Sequence, residues 1–182
     1  SNAVALGAFS WASNSNAVSI GGGNASGAGS FAANGTASGN SSISILGSAE
    51  KALAISLGSD TKAYSEASIA IGNTLVVGRR NNTDITGSIA IGTGNWSTGL
   101  NTLAIGNFSD ASGLNALALG TESSVSGPNA LALGTSSNAS GESSIAMGNG
   151  SYSRLENNIS IGRNARTYTR NSFTIGSNAS VG

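Results

Sequence analysis

The chain has 182 residues with 8 basic and 8 acidic side chains, no His and no Cys. The missing Cys excludes disulfides, thiolate nucleophiles and Cys-based zinc sites, and the missing His excludes Ser-His catalysis and His metal sites. A net charge of zero argues against nucleic acid as an electrostatic partner. No apolar run of about 18 residues predicts a transmembrane helix, and no basic n-region with an apolar h-region predicts a signal peptide.

Residues 1–3, Ser-Asn-Ala, are interpreted as an expression-tag remnant, and one repetitive region is predicted over residues 4–182. Gly, Ser, Ala and Asn fill about three fifths of the chain, a composition that disordered and repetitive proteins share. The large apolar residues distinguish the two, because units of large-small-large-Gly recur along the chain. They lie at Val4–Gly7, Val18–Gly21, Ile55–Gly58, Ile69–Gly72, Ile89–Gly92, Leu103–Gly106, Leu117–Gly120, Leu131–Gly134, Ile145–Gly148, Ile159–Gly162 and Phe173–Gly176.

Most of these units follow one another at a period of 14 residues. Residues 28–50 depart from it, since Phe31–Asn34 and Ile43–Leu46 are blurred units at spacings nearer 12 or 13. Between Gly72 and Gly92 the spacing is 20, which predicts an insertion loop of about six extra residues at about 74–87.

Inside each unit the alternation has period two, which predicts a strand, and the Gly that follows predicts a tight turn. Counted from that Gly, positions +3 and +5 are mostly small while +4 is unrestricted, which predicts a second short strand with +4 facing outward. Position +9 is mostly Asn, which suits a turn because Asn tolerates the left-handed conformation. A ligand-binding ladder is the less favoured interpretation of the repeated Asn. Two strands and two turns in 14 residues predict one coil of an all-β parallel β-solenoid, with roughly twelve coils about 4.8 Å apart.

The alternation leaves two faces to assign. We interpret the Ile and Leu residues as filling the interior of each coil, and the intervening alanines as an outer face. A small apolar ladder allows close approach of another copy, so the alanines are predicted to form the seam of a homo-oligomer. The residues of this predicted seam are Ala70, Ala90, Ala104, Ala118, Ala132 and Ala146.

The Ser-Ile-Ala-Ile-Gly and Ala-Leu-Ala-Leu-Gly units resemble the repeat of YadA-like heads of trimeric autotransporter adhesins. The resemblance covers about residues 4–182. It implies a left-handed parallel β-roll, a homotrimer and display on the outer surface of a Gram-negative bacterium. It also implies attachment to host extracellular matrix or cell-surface receptors, and self-association of bacteria. The family's neck, stalk and C-terminal membrane anchor have no counterpart here, so membrane contact is expected only through such an anchor.

Several outward residues are candidates for ligand binding. The 14-residue spacing places Tyr152 beside Arg166, Arg154 beside Tyr168, and Glu156 beside Arg170. Tyrosine and arginine are common interface anchors, although the same ladder could instead satisfy itself and stabilise the last coils. Trp96 and Trp11 share the outward +4 position, where each either fills a subunit groove or contacts a ligand. Arg79 and Arg80 on the predicted insertion are a further candidate, against a solvated loop tip.

The chain is predicted not to be an enzyme and to need no cofactor or metal. A hexapeptide-repeat acyltransferase is disfavoured because that family relies on a catalytic His, and ice binding is disfavoured because the outward positions vary in size and charge. A spacer that carries another binding module in a surface fibre stays open as the alternative to an adhesive head.

Overall fold

The structure is a computed structural model that describes residues 2–72, 82–83 and 86–182. These residues form short strands and turns without any helix, and none of them forms a helix able to cross a membrane. The chain divides into two compact units, Ser1–Gly94 and Asn95–Gly182. Each unit is a parallel β-solenoid in which two sheets face each other, which confirms the predicted all-β solenoid fold.

In the first unit, strands of a first and a second sheet alternate along the chain. The first-sheet strands are β1 (Val4–Leu6), β3 (Val18–Ile20), β5 (Phe31–Ala33), β7 (Ile43–Ile45), β9 (Ile55–Leu57), β11 (Ile69–Ile71) and β13 (Ile89–Thr93). The second-sheet strands are β2 (Trp11–Ala12), β4 (Asn24–Ala25), β6 (Thr36–Ala37), β8 (Ser48–Ala49), β10 (Lys62–Ala63) and β12 (Asn82–Thr83). Each strand pairs in parallel with its counterpart one coil away, as Ala70 does with Ala90.

The second unit repeats this arrangement. Its second-sheet strands are β14 (Trp96–Ser97), β16 (Asp110–Ala111), β18 (Ser124–Val125), β20 (Asn138–Ala139), β22 (Tyr152–Ser153), β24 (Arg166–Thr167) and β26 (Ser180–Val181). Its first-sheet strands are β15 (Leu103–Asn107), β17 (Leu117–Leu119), β19 (Leu131–Leu133), β21 (Ile145–Met147), β23 (Ile159–Ile161) and β25 (Phe173–Ile175). The register is in phase with the sequence repeat, since Leu103 pairs with Leu117, and Leu117 with Leu131.

The two connections within a coil differ in how they tolerate length changes. The connection from the second sheet to the first keeps one length throughout, as in residues 13–17, 38–42 and 126–130. The connection from the first sheet to the second shortens from residues 120–123 in a regular coil to 21–23, 34–35 and 46–47 in the irregular coils. The blurred units near residues 28–50 are therefore true coils with a shortened first turn.

Part of the insertion loop predicted at about 74–87 falls on described residues. Asn82 and Thr83, which the sequence placed within it, form β12 and pair with Lys62 and Ala63. The rest of the predicted loop, residues 74–81 and 84–85, lies outside the described residues. The candidate residues Arg79 and Arg80 lie outside the described residues.

The prediction about the two faces of the first sheet was wrong. Ala70, Ala90, Ala104, Ala118, Ala132 and Ala146 are all fully buried in the core of a single chain, so they form no seam for another copy. The Ile and Leu residues beside them point outward and are half-buried or exposed, as Leu117 and Leu133 are. The reason is the narrow interior of the coil, where the fully buried side chains are mostly Ala, Ser and Thr and the largest are Val125, Asn95 and Asn158.

The small residues at +3 and +5 of the second strand were correctly placed inward. Ser123 and Val125 are fully buried, whereas Ser124 between them is half-buried and faces outward. In the middle of the second unit the interior contains an apolar cluster, in which Val125 packs with Ala111, Ala118 and neighbouring alanines.

Toward the end of the chain the interior changes to hydroxyl groups. The Ser153 hydroxyl donates to the Ser160 hydroxyl at 2.9 Å, and the Thr167 hydroxyl lies 2.7 Å from Ser160 and donates to Thr174 at 2.8 Å. Buried hydroxyls that bond one another avoid the cost of unsatisfied polar groups. Apolar side chains and mutually bonded hydroxyl side chains therefore both fit the same narrow interior.

The repeated Asn at +9 forms the turn that the sequence predicted. Asn101, Asn115 and Asn129 have φ of 55°, 54° and 55°, in the left-handed region that Asn tolerates. Their side chains bond along the stack, since the Asn115 amide donates to the Asn129 Oδ1 at 2.9 Å. Each Asn thus supplies a backbone conformation and an inter-coil hydrogen bond.

Substitution of Asn115 should separate these two contributions. Asn115→Ala is expected to lower the free energy of unfolding by about 2 kcal/mol, because Ala disfavours positive φ and cannot bond the next coil. Asn115→Gly retains the backbone freedom and should cost about 1 kcal/mol or less. Guanidinium unfolding at one fixed protein concentration measures both. Equal losses for the two variants would contradict a conformational role for this Asn.

Candidate functional site

Two surfaces of the coils carry side chains that could contact a partner. One is the outer side of the first sheet, which we call the outer apolar face. In the second unit it consists of Leu103, Ile105, Leu117, Leu119, Leu131, Leu133, Ile145, Met147, Ile159, Ile161, Phe173 and Ile175. Soluble monomers rarely expose a continuous apolar patch of this extent, so the outer apolar face is typical of an interface.

The other surface is the outer side of the second sheet, where position +4 of each coil faces outward. Trp11 and Trp96, both predicted there, are 63% and 43% exposed. Their exposure confirms the outward orientation of position +4 in both coils. They lie in different units, so each is a separate candidate contact.

The predicted Tyr and Arg positions come together on this side of the second unit. Tyr152 in β22 is the register partner of Arg166 in β24. Arg154 and Tyr168 come two residues after Tyr152 and Arg166, at the next position that faces outward. The backbone N–H of Arg154 donates to the carbonyl of Thr167 at 3.3 Å, so these two positions are also neighbours on adjacent coils. The four side chains therefore occupy the corners of a square, with the two tyrosines on one diagonal and the two arginines on the other.

The tyrosines on that diagonal contact each other. Their ring centroids are 5.8 Å apart with the planes tilted by 53°, a favourable arrangement for an aromatic pair. The square borders a surface cavity of about 540 Å³ that is also lined by Ser136, Gly150, Ser151 and Asn164. We call this cavity, with its eight lining residues, the Tyr–Arg cavity.

The arginines of the Tyr–Arg cavity are exposed, and no acidic side chain in the described part of the chain pairs with them. Among the described residues, neither Arg154 nor Arg166 has a side-chain hydrogen bond, an ion pair or a ring contact. The ladder therefore does not satisfy itself through arginine-tyrosine stacking. Ser136, one of the lining residues, donates a hydrogen bond to the Glu122 carboxylate at 3.3 Å.

The remaining predicted arginine lies away from this cavity. Arg170 and Glu156 are both exposed on neighbouring coils, and the backbone N–H of Asn171 donates to the carbonyl of Glu156 at 3.1 Å. Within the described part of the chain, the Arg170 side chain has no ion pair with Glu156.

Sequence reasoning missed four lining residues of the Tyr–Arg cavity. Ser136 and Asn164 occupy the second position of the first turn, with φ of 53° and 55°, and Gly150 occupies the same position in the coil between them with φ of 66°. Ser151 is the small +3 residue that follows Gly150. The 14-residue spacing that aligned Tyr152 with Arg166 also aligns these turn residues, so the signal was present in the sequence.

The repeat, the two facing parallel sheets and the narrow small-residue interior define a β-solenoid of the kind built from short head-domain repeats. The sequence profile described as YadA head domain repeat (2 copies) matches residues 1–24, 49–74, 86–109, 97–123, 111–136 and 126–151. These matches cover more than half of the chain, and the chain belongs to the family of YadA head domains, an adhesin-type domain. No curated protein matches the chain.

The unmatched residues are informative as well. The shortened coils at 25–48 and the last coils at 152–182 lie outside the matched segments. Most of the Tyr–Arg cavity is built by those last coils. The backbone of these last coils continues the solenoid, as the pairing of β22 with β24 shows.

Proposed function

We propose that this chain forms the head of a homotrimeric bacterial surface adhesin that attaches to host extracellular matrix or to cell-surface receptors. The observation that carries the proposal is the outer apolar face of a chain that belongs to the YadA head family. Its two columns of Ile, Leu and Phe side chains need a cover, and identical copies around one axis supply one. The proposal includes location on the outer surface of the bacterium and no catalytic activity.

The orientation of the two sheets supports a separate role for each, with the first sheet in trimer assembly and the second in ligand contact. In the proposed trimer, the first sheet packs its outer apolar face against sister chains, and the second sheet presents its variable outward positions to the surroundings. Those positions include Trp96, Tyr152 and Arg166. Varied side chains on a regular backbone can form a specific surface without altering the core.

An attachment assay with the chain itself tests the adhesive part of the proposal. Beads coated with the 182-residue protein should bind immobilised collagen, fibronectin or laminin, or epithelial cells, more than albumin-coated beads do. Beads coated with the heat-unfolded protein serve as a matched control. Binding to none of these surfaces, by a protein that is folded and multimeric, would favour the alternative, a spacer that displays another binding module.

A further inference from the structure

We propose that the Tyr–Arg cavity is a binding site for a small anionic saccharide, with a sulfate ester or a carboxylate held between Arg154 and Arg166. This proposal deepens the proposed function, on which it rests, by naming a ligand class for an adhesive head. The two arginines, the two tyrosines and the cavity between them carry the argument.

The anionic character of the ligand follows from the arginines. Their guanidinium groups lie on neighbouring coils at one cavity, and no acidic side chain among the described residues pairs with either. Arginine presents several N–H donors in one plane, which matches the oxygens of a carboxylate or a sulfate. Residues 151–182 contain four arginines and a single acidic residue, Glu156, so the surroundings favour an anion as well.

The saccharide character follows from the other lining groups. Tyr152 and Tyr168 are half-buried and line the cavity, and an aromatic ring suits the apolar C–H groups of a sugar. Asn164 and Ser136 offer an amide and a hydroxyl for sugar hydroxyls. A volume of about 540 Å³ lies within the usual range for small-molecule sites and suits a mono- or disaccharide.

The position of the cavity keeps it accessible in the proposed trimer. Its strands, β22 and β24, belong to the second sheet, whereas the outer apolar face belongs to the first. A neighbouring chain that covers the first sheet therefore leaves the Tyr–Arg cavity open. Five of its eight lining residues lie beyond residue 151, where the last match to the family profile ends.

Calorimetric titration of the folded protein with three sugars tests the proposal. A sulfated heparin disaccharide and 3′-sialyllactose supply the two anion sources, and lactose is the neutral control. At least one anionic sugar should bind about tenfold or more tightly than lactose, and the comparison identifies which anion is preferred. Equal binding of lactose, or no binding of any sugar, would overturn the proposal. Tighter binding of a tyrosine-sulfated peptide than of either anionic sugar would overturn the saccharide assignment.

Two double variants locate the site. Arg154→Gln with Arg166→Gln should weaken the anionic sugar by about tenfold or more, because both charge-assisted contacts are lost. Arg163→Gln with Arg170→Gln removes the same charge from exposed residues that do not line the cavity, and should change the affinity by less than about threefold. Equal losses in both variants would indicate a diffuse charge effect and would contradict the proposed site.

The bead assay separates this proposal from the proposed function. If the Arg154→Gln, Arg166→Gln protein still attaches to matrix or cells at the parental level, the head is an adhesin and the cavity is not its receptor site. If the disaccharide binds but no surface retains the beads, the cavity is confirmed while the adhesive function fails.

Discussion

Replacing Ala118 by Leu is expected to lower the free energy of unfolding by about 3 kcal/mol or more. Ala118 is fully buried and is the register partner of Ala104 and Ala132 in the coils on either side. The additional carbon atoms would have to enter an interior that holds only small and medium-sized side chains, such as Ala, Ser and Val, in this part of the second unit. The two sheets cannot move apart at one coil without breaking strand pairing in the adjacent coils. The strain caused by leucine therefore cannot be relieved without a large cost in free energy.

Guanidinium unfolding followed by circular dichroism measures this effect. Ser124→Leu is the matched control, because Ser124 lies in the neighbouring strand β18 but faces outward and is half-buried. The control should change the free energy of unfolding by about 0.5 kcal/mol or less. If Ala118→Leu were as well tolerated as Ser124→Leu, the alanine column would be facing outward and the core described above would be wrong.

The sequence predicted the course of the backbone because the chain repeats it. Each Gly at a strand end, each small +3 and +5 residue and each Asn at +9 recurs at the same place in the coil, so one interpretation is checked by every other copy. Asn115 and Asn129, for example, adopt the predicted left-handed turn. The irregular coils were also detected, since Phe31 and Ile43 retain the strand pattern at shorter spacing.

Alternation alone did not predict which face of the first sheet points to the core. Alternation states that Leu117 and Ala118 face opposite ways, and in most half-buried strands the larger apolar residue faces the core. The width of the coil reverses that preference here. The small residues across the core, such as Ala111 and Ser123, contained the missing information, because facing sheets with small side chains stand too close to admit leucine.

The sequence predicted which residues of the candidate site are neighbours on adjacent coils, but it did not predict the contact between the tyrosine rings or the cavity. The 14-residue spacing gave Tyr152 beside Arg166, which the pairing of β22 and β24 confirms. The contact between the rings of Tyr152 and Tyr168 depends on side-chain rotamers, and the cavity depends on turn residues such as Asn164. Sequence spacing fixes which backbone positions are neighbours, whereas the space between side chains requires coordinates.

Placing charge on the outer apolar face is expected to dissociate the proposed trimer. In Leu117→Asp with Leu131→Asp, the new carboxylates would lie on neighbouring strands β17 and β19 and would meet their own copies around the symmetry axis. Desolvating like charges at an interface is strongly unfavourable. The mass measured by light scattering should fall from near three times 17.7 kDa to that of one chain.

The matched control is Ser112→Asp with Ser126→Asp, which adds the same charge to exposed residues that precede Leu117 and Leu131 on the same coils. This control should retain the parental mass. Because assembly stabilises by mass action, the thermal midpoint of the parent protein should rise with protein concentration, while that of the Leu117→Asp, Leu131→Asp protein should not. A parent protein that is monomeric, or an aspartate variant that keeps the parental mass, would show that sister chains do not cover the outer apolar face.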